Sequence, residues 1–269
     1  MYEKNAESDT FAFDDLGKRM FPALFVRLDD INDARETLTV SAGSEMDADH
    51  HATAPFAVGN KVEQLLTVGT DHLGMMRTFI ESVHLAPPFA LFTLMRASIE
   101  SSCVGLWLLL HGKRKDRIER FLKLTWSEHT EVAELVKMQG VRSVSGADNF
   151  AEHIERIVRR HKNLQQFDVT VKSITSTTNM IIYAQARLKS TPSMPALEAW
   201  RICSGMTHSN LPTSMALLGS RQIGADNVWG ARHEVKASIF MLATIFETGV
   251  FYTEALLDAH RNKSSGRRG

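Results

Sequence analysis

Apolar residues recur at helical spacing through most of the chain from residue 61 onward. In KVEQLLTVGTDHLGMMRTFIE (61–81), the apolar positions fall three or four residues apart, as on one face of an amphipathic helix. Proline and glycine separate this stretch from several others of the same kind. The pattern predicts helices over residues 61–81, 89–110, 113–138, 149–164, 195–210, 212–218 and 233–262. Residues 169–189 fit either a strand or a helix.

Segments with the two-residue alternation of a half-buried strand are nearly absent. The predicted fold class is therefore all-α, an up-and-down helical bundle. Before residue 60, one short amphipathic piece, FPALFVRL, precedes an aperiodic stretch rich in small and polar residues (37–59). We expect an acidic, partly disordered N-terminal arm and linker over residues 1–59, a helical bundle domain over residues 60–262 and a flexible basic tail over residues 263–269.

The formal net charge is zero, but positive and negative residues are unevenly distributed. Residues 1–60 carry five Lys or Arg and twelve Asp or Glu, a balance of −7. Residues 61–269 carry 26 Lys or Arg and 19 Asp or Glu, a balance of +7. A moderately basic body of this kind is compatible with a phosphate-bearing partner such as RNA.

The cysteines and the apolar runs bear on where the protein works. Cys103 and Cys203 both lie within apolar helical patterns, so we expect no disulfide and a reducing, cytoplasmic location. The first 20 residues are acidic and lack the apolar region of a signal peptide. The two longest apolar runs, 85–110 and 237–257, each contain two charged residues, so we expect no membrane span.

The stretch AWRICSGMTHSNLP contains an arginine and a histidine on one side of a predicted helix. Arg201 and His208 are seven residues apart, which is two turns less about 20°. Glu198 lies one turn earlier, and Ser204 and Asn210 add a hydroxyl and an amide near the histidine. The arginine fork matches phosphate, and a histidine can transfer protons near neutral pH. The pair suits phosphodiester cleavage by an internal nucleophile such as a ribose 2′-hydroxyl.

The Arg-x6-His spacing on a late helix resembles the RX4-6H motif of HEPN-superfamily proteins. These are small helical bundles, and many are metal-independent RNases of toxin–antitoxin and antiviral systems. The resemblance covers the helical body, roughly residues 61–262. It implies that Arg201 contacts the phosphate, that His208 is the acid/base residue, and that the two form a composite site across a homodimer. It also implies RNA as substrate, no cofactor, and an antitoxin or another regulatory protein as partner in a stress or defence system.

The same residues also fit a purely structural interpretation. His208 lies near the end of its predicted helix, where histidine can interact with the last carbonyl groups. Arg201 could pair with Glu198 or Glu100. Ile202 follows the arginine at a position where active HEPN proteins often have a polar residue. The alternative is a non-catalytic helical-bundle protein that binds or regulates, in which the arginine and the histidine are structural.

Arg96 and Glu100 interrupt the apolar stretch LMRASIESSCVGLWLL. They are four residues apart and share one face of a helix that is apolar on almost every side, so this helix is expected in the core. Charged groups there need partners, which predicts an ion pair within the helix or one completed by a neighbouring helix. Alternatively, the two residues line a polar pocket and support the site at Arg201 and His208.

Two basic runs, KRKDRIERFLK (113–123) and RIVRRHK (156–162), are the first places to expect phosphate contacts if the protein handles RNA. Runs of this kind are otherwise solvated faces of helices. The nucleic-acid-binding residues predicted from them are Lys113, Arg114, Lys115, Arg117, Arg120, Arg159 and Arg160.

Sequence motifs for metal or nucleotide chemistry are missing. E-x-x-H occurs once, at Glu81 and His84, whereas a ferritin-like di-metal bundle needs it on two helices together with further carboxylates. We find no phosphate-binding loop, no dinucleotide-binding glycine pattern and no G-x-S-x-G elbow. We therefore expect neither a metal nor a cofactor.

Overall fold

The computed structural model describes residues 3–138, 147–160, 175–224 and 233–266. These residues form α1 (Glu3–Glu36), α2 (Glu45–Thr53), α3 (Val58–Thr78), α4 (Ala90–Leu109), α5 (Arg114–Met138), α6 (Ala147–Arg160), α7 (Thr177–Arg187), α8 (Ala196–Thr207), α9 (Leu211–Leu217) and α10 (Ile239–Ser264). A π-helical turn (Phe79–Val83) continues α3, and strands β1 (Leu218–Gln222) and β2 (His233–Ala237) pair antiparallel. The predicted all-α bundle is confirmed.

Helix α10 is a central element of the bundle and packs against α1, α3 and α4. The ring of Phe246 on α10 meets the rings of Phe21 and Phe25 on α1 edge to face, with centroids 5.9 and 5.6 Å apart. By length and composition α10 could cross a membrane, but 61% of its most apolar stretch is buried inside the protein. A helix surrounded by partners in a soluble bundle has the same apolar composition.

Helix α1 is much longer than the short amphipathic piece that the sequence pattern predicts. It spans 34 residues, although only its second half carries a regular apolar stripe. That stripe is buried, mainly against α10. It consists of Phe21, Leu24, Phe25, Leu28 and Ile31. The N-terminal segment therefore contributes directly to the core of the bundle.

Residues 37–59, predicted to be an aperiodic linker, contain helix α2, so the structure differs from the prediction here. The side chain of Ser44 caps this helix by accepting a hydrogen bond from the backbone N–H of Asp47. Met46 and Asp49 on α2 are buried. The helix has almost no apolar stripe because its inward face carries a carboxylate, and that is why periodicity does not reveal it.

The last predicted helix, over residues 233–262, begins later than expected. Residues His233–Ala237 pair with Leu218–Gln222 as a two-stranded sheet, and α10 begins at Ile239 behind the N-cap Ser238. Within the ambiguous region 169–189, the structure shows a helix, α7, from Thr177 onward. Residues 169–174 lie outside the described part of the chain.

Gly17 marks a close approach of α1 to the start of α10, which suggests a stability test. A Cβ at this position would lie 2.6 Å from both the Cα and the backbone N of Phe240, so the two helices would have to separate. We expect Gly17→Ala to destabilise the protein by about 2 kcal/mol or more in urea unfolding, as overpacking does. Gly74→Ala is the matched control, because nothing lies within 4 Å of its Cβ position.

At Gly74, alanine should stabilise the helix by about 0.5–1 kcal/mol, because glycine is unfavourable in a helix interior. If Gly17→Ala and Gly74→Ala change the free energy of unfolding equally, α1 does not contact α10 at Gly17 in this way.

Candidate functional site

The candidate site lies on α8, which runs antiparallel to α4. The hydroxyl groups of Thr93 and Thr207 are 3.2 Å apart at one end of this helix pair, and Trp200 contacts Glu100 further along. The buried residues of α8 are Ala196, Ala199, Cys203 and Met206, at the spacing of one helix face. Pro195 directly precedes the first turn, a position that the fixed φ and the missing N–H of proline favour. This packing fixes which face of α8 reaches solvent.

Arg201 and His208 both lie on the exposed side of α8, together with Glu198. Neither the guanidinium group nor the imidazole ring forms a hydrogen bond or ion pair with any residue of the described ranges. The expected alternative pairing of Arg201 with Glu198 or Glu100 is therefore not formed. The seven-residue spacing predicts that the two residues share one side of the helix, and both are indeed exposed on that side.

His208 ends α8 through its backbone and not through its ring. Its N–H donates to the carbonyl of Ser204, 3.0 Å away. Ser209 then adopts a left-handed conformation with φ 53°. Its N–H bonds to Met206, and the N–H of Asn210 bonds to Gly205, at 3.2 and 2.9 Å. This is a Schellman motif, which satisfies the last carbonyl groups without any contribution from the imidazole.

The corner that follows is held by Asn210 and Gly205. The side-chain oxygen of Asn210 accepts a hydrogen bond from the N–H of Thr213 and so caps α9. A Cβ on Gly205 would lie 2.7 Å from the Cγ2 of Thr213, so the glycine allows α9 to approach α8 closely. Of the two explanations for a glycine in this helix, a close helix or a close ligand, the structure supports the close helix.

Ser209 offers a direct test of this corner. A left-handed conformation is unfavourable for any residue with a Cβ, by about 1–2 kcal/mol, and glycine adopts it freely. Ser209→Gly should therefore raise the free energy of unfolding by about 0.5–1 kcal/mol in urea titrations. A decrease would mean that Ser209 does not have the positive φ.

Arg96 and Glu100 form the predicted ion pair, with a separation of 3.4 Å. Trp200 on α8 completes it: its indole N–H donates to Glu100 at 2.9 Å, and its ring lies 5.4 Å from the guanidinium carbon of Arg96. Both charged residues also line a cavity of about 550 Å³ that includes Glu128 and Glu131. The sequence pattern did not single out Trp200, because an indole in an apolar helix gives no sign of a polar partner.

The structure does not bring Arg96 or Glu100 into hydrogen-bond contact with Arg201 or His208. The Arg96 pair instead faces the side of α8 that packs on α4. Burial raises the pKa of the Cys203 thiol, and the nearby charge of Arg96 only partly opposes this shift. Its complete burial on the inner face of α8 makes Cys203 a packing residue.

The first basic run is divided between the interior and the surface. Arg117 is buried and its guanidinium Nε lies 2.8 Å from the carboxylate of Asp49, so it is not available to a nucleic acid, contrary to the prediction. Arg114 pairs with the same carboxylate at 3.2 Å from the exposed side. Lys113 and Lys115 are exposed. The periodicity of the helix places one residue of the run, Arg117, on the buried side.

Arg120 and the second basic run have different surroundings. The guanidinium of Arg120 is half-buried over the rings of Trp107 and Tyr183. Arg159 is exposed and pairs with Glu155 on its own helix, with a separation of 2.6 Å. The side chain of Arg160 lies outside what the structure describes. The basic residues therefore do not form one continuous phosphate-binding face within the described residues.

No group of three or more His, Cys, Asp or Glu residues suitable for a metal ion occurs among the described residues. In comparisons with known proteins, no protein-family model, curated protein or solved structure matches this chain.

Proposed function

We propose that the chain is a HEPN-like, metal-independent RNA-cleaving protein with Arg201 and His208 as its catalytic residues. The observation that carries this proposal is the exposure of both side chains on one side of α8, with no partner among the described residues. An arginine and a histidine that held the fold together would have partners. These two are free to meet a substrate.

The chemistry follows from the two side chains. The neutral imidazole of His208 takes the proton from a ribose 2′-hydroxyl, and the 2′-oxygen attacks the adjacent phosphorus. The bond from phosphorus to the 5′-oxygen breaks, and that oxygen takes up a proton from solvent. Arg201 donates hydrogen bonds to the phosphoryl oxygens as negative charge develops on them. The products are a 2′,3′-cyclic phosphate and a 5′-hydroxyl end.

Residues around the pair hold it in place in this proposal. Asn210 and Ser204 act through the helix corner: Asn210 caps α9, and the carbonyl of Ser204 anchors the backbone of His208. Glu198 lies on the same exposed side, one turn before Arg201. By the HEPN resemblance, two copies of the chain would combine their pairs into one site. The same resemblance suggests a cytoplasmic stress or defence role, restrained by an antitoxin or regulatory protein.

The experiment is to incubate the purified protein with single-stranded RNA in the presence of EDTA and to analyse the ends of the products. The proposal predicts cleavage that EDTA does not inhibit and products with 2′,3′-cyclic phosphate ends. Cleavage that stops with EDTA, or products with 5′-phosphate ends, would refute the mechanism. A matched DNA strand, which lacks the 2′-hydroxyl, should remain intact.

A second candidate function, binding or regulation without chemistry, is favoured by exposed apolar residues beside the histidine. On α9, Leu211 and Met215 are 69% and 46% exposed. An apolar surface next to His208 suits contact with another protein. If the purified protein leaves RNA intact and Leu211→Asp disrupts its assembly with another chain, this candidate replaces the first. Ile202, apolar and half-buried beside Arg201, is compatible with it.

A further inference from the structure

A second cavity, which we call the Tyr183 cavity, lies between α4, α5 and α7. Its volume is about 400 Å³, within the range of small-ligand sites. The residues that line it are Trp107, Glu119, Arg120, Lys123, Thr175, Asn179 and Tyr183. The cavity is therefore lined both by Arg120, the half-buried arginine of the first basic run, and by the aromatic residue Tyr183 on α7.

Two arginines stack on the ring of Tyr183. The guanidinium carbon of Arg120 lies 4.2 Å from the ring centroid, and that of Arg187 lies 4.8 Å from it. Arg120 also lies 5.0 Å from the ring centroid of Trp107 and donates a hydrogen bond to the carbonyl oxygen of that residue. Ring stacking and a backbone contact hold the guanidinium groups in place, but these contacts do not neutralise their positive charge.

The balance of charge at the cavity is positive. Lys123 and Glu119 form an ion pair 3.1 Å long, so these two charges offset each other. Neither Arg120 nor Arg187 has a carboxylate partner among the residues that the structure describes. The two positive charges near this ring repel each other, and an anion bound near them would relieve that repulsion.

The donors present suit a phosphate group. A guanidinium offers a planar fork of N–H groups that matches phosphate oxygens in pairs, and its stacked position keeps the fork rigid. The amide of Asn179 and the hydroxyl of Thr175 also line the cavity and add neutral donors. A volume of about 400 Å³ also leaves room for the sugar attached to a phosphate.

We propose that the Tyr183 cavity binds the phosphate group of a nucleotide. Its charged ligands are Arg120, which lines the cavity, and Arg187, which does not line it but stacks on the ring of Tyr183. The phosphate belongs either to an RNA strand or to a free nucleotide. The identification of RNA as the source rests on the proposed function, whereas the phosphate site itself does not require Arg201 or His208. The site gives Arg120 the phosphate-contacting role that Arg117, buried against Asp49, cannot fill.

The test uses the full-length His208→Ala protein, so that bound RNA is not cleaved, with Arg187→Gln as the variant. Arg187 is exposed on the last turn of α7, and its loss leaves the core unchanged. The probes are a labelled 12-nucleotide single-stranded RNA, adenosine monophosphate and inorganic phosphate. Arg261→Gln is the matched control, because it removes the same charge from an exposed position on the last turn of α10.

We expect Arg187→Gln to weaken binding about tenfold, the effect of one lost charge-assisted contact, and Arg261→Gln to leave it unchanged. If RNA is the ligand, the slope of log affinity against log salt should fall by about 0.7 in Arg187→Gln. If adenosine monophosphate binds and RNA does not, the phosphate source is a free nucleotide, and the site stands. Equal affinities for the Arg187 and Arg261 variants, or no binding of any probe, would overturn the proposal.

The result is separable from the proposed cleavage. If His208→Ala abolishes cleavage and Arg187→Gln still weakens binding of the probes in that protein, both proposals are supported. If the wild-type protein does not cleave RNA but Arg187→Gln still weakens binding of the probes, the cavity is a phosphate site in a protein without that chemistry.

Discussion

Replacing His208 with alanine should slow RNA cleavage by about 100- to 10,000-fold, the usual contribution of a positioned acid/base residue. The fold should not change, because the imidazole has no partner among the described residues and the helix end is closed by backbone hydrogen bonds. Initial rates of cleavage of a labelled single-stranded RNA measure the effect, and circular dichroism reports the fold.

Two further variants make the test specific. Arg201→Lys keeps the charge but loses the planar fork, so its rate should lie between those of the wild type and of Arg201→Gln. For Arg201→Gln we expect a loss of about 100- to 1,000-fold, as for removal of one donor to a developing negative charge. His51→Ala, at a histidine whose side chain is 82% exposed on α2, is the matched control and should cleave at the wild-type rate. Cleavage by His208→Ala at the control rate would contradict the assignment.

Replacing Arg117 with methionine should destabilise the protein by about 3–5 kcal/mol, the cost of breaking a buried ion pair from one side. The Asp49 carboxylate then keeps only Arg114, which is half exposed. The side chains of Arg117 and Asp49 are each 2% exposed, and the guanidinium contacts both carboxylate oxygens. Arg117 also lies 3.1 Å from Glu45, which pairs with Lys263 on α10. These contacts join α2 to α5 and to the end of α10. Urea unfolding of wild type and variant gives the free energy difference.

The double variant Arg117→Met with Asp49→Leu distinguishes the effect of an unpaired buried charge on stability from the effect of altered packing. Since both buried charges are removed together, it should recover most of the stability lost by the single variant. Arg159→Met is the control for an exposed pair, because Arg159 is 78% exposed beside Glu155, and it should change stability by less than about 1 kcal/mol. If Arg117→Met matches this control, the ion pair is not buried as described.

The helices that sequence reasoning predicted well are those whose apolar stripes are dense and bounded by proline or glycine. Helices α4 and α8 belong to this group, and on α8 the seven-residue spacing also matched the exposed side that carries Arg201 and His208. The ion pair of Arg96 with Glu100 followed from the high cost of unpaired charge in a core helix. Periodicity and charge pairing act locally, so they can be read from one sequence.

What the sequence did not predict depends on contacts between distant segments. Helix α2 turns Asp49 inward, which is favourable only because Arg117, 68 residues later, is there to meet it. Strand β2 forms only because β1 pairs with it, so HEVKA reads as the start of a helix in isolation. Trp200 became part of the Arg96 pair only through the packing of α8 on α4. Local patterns contain no information about such partners.

The most direct test of the proposed RNA-cleaving function is to express the wild-type protein and His208→Ala at equal levels in cells and to follow total RNA and growth. We expect degraded RNA and arrested growth with the wild type, and intact RNA with normal growth for the variant. Intact RNA in cells that express the wild type without any antitoxin-like partner, or equal degradation by both proteins, would contradict it.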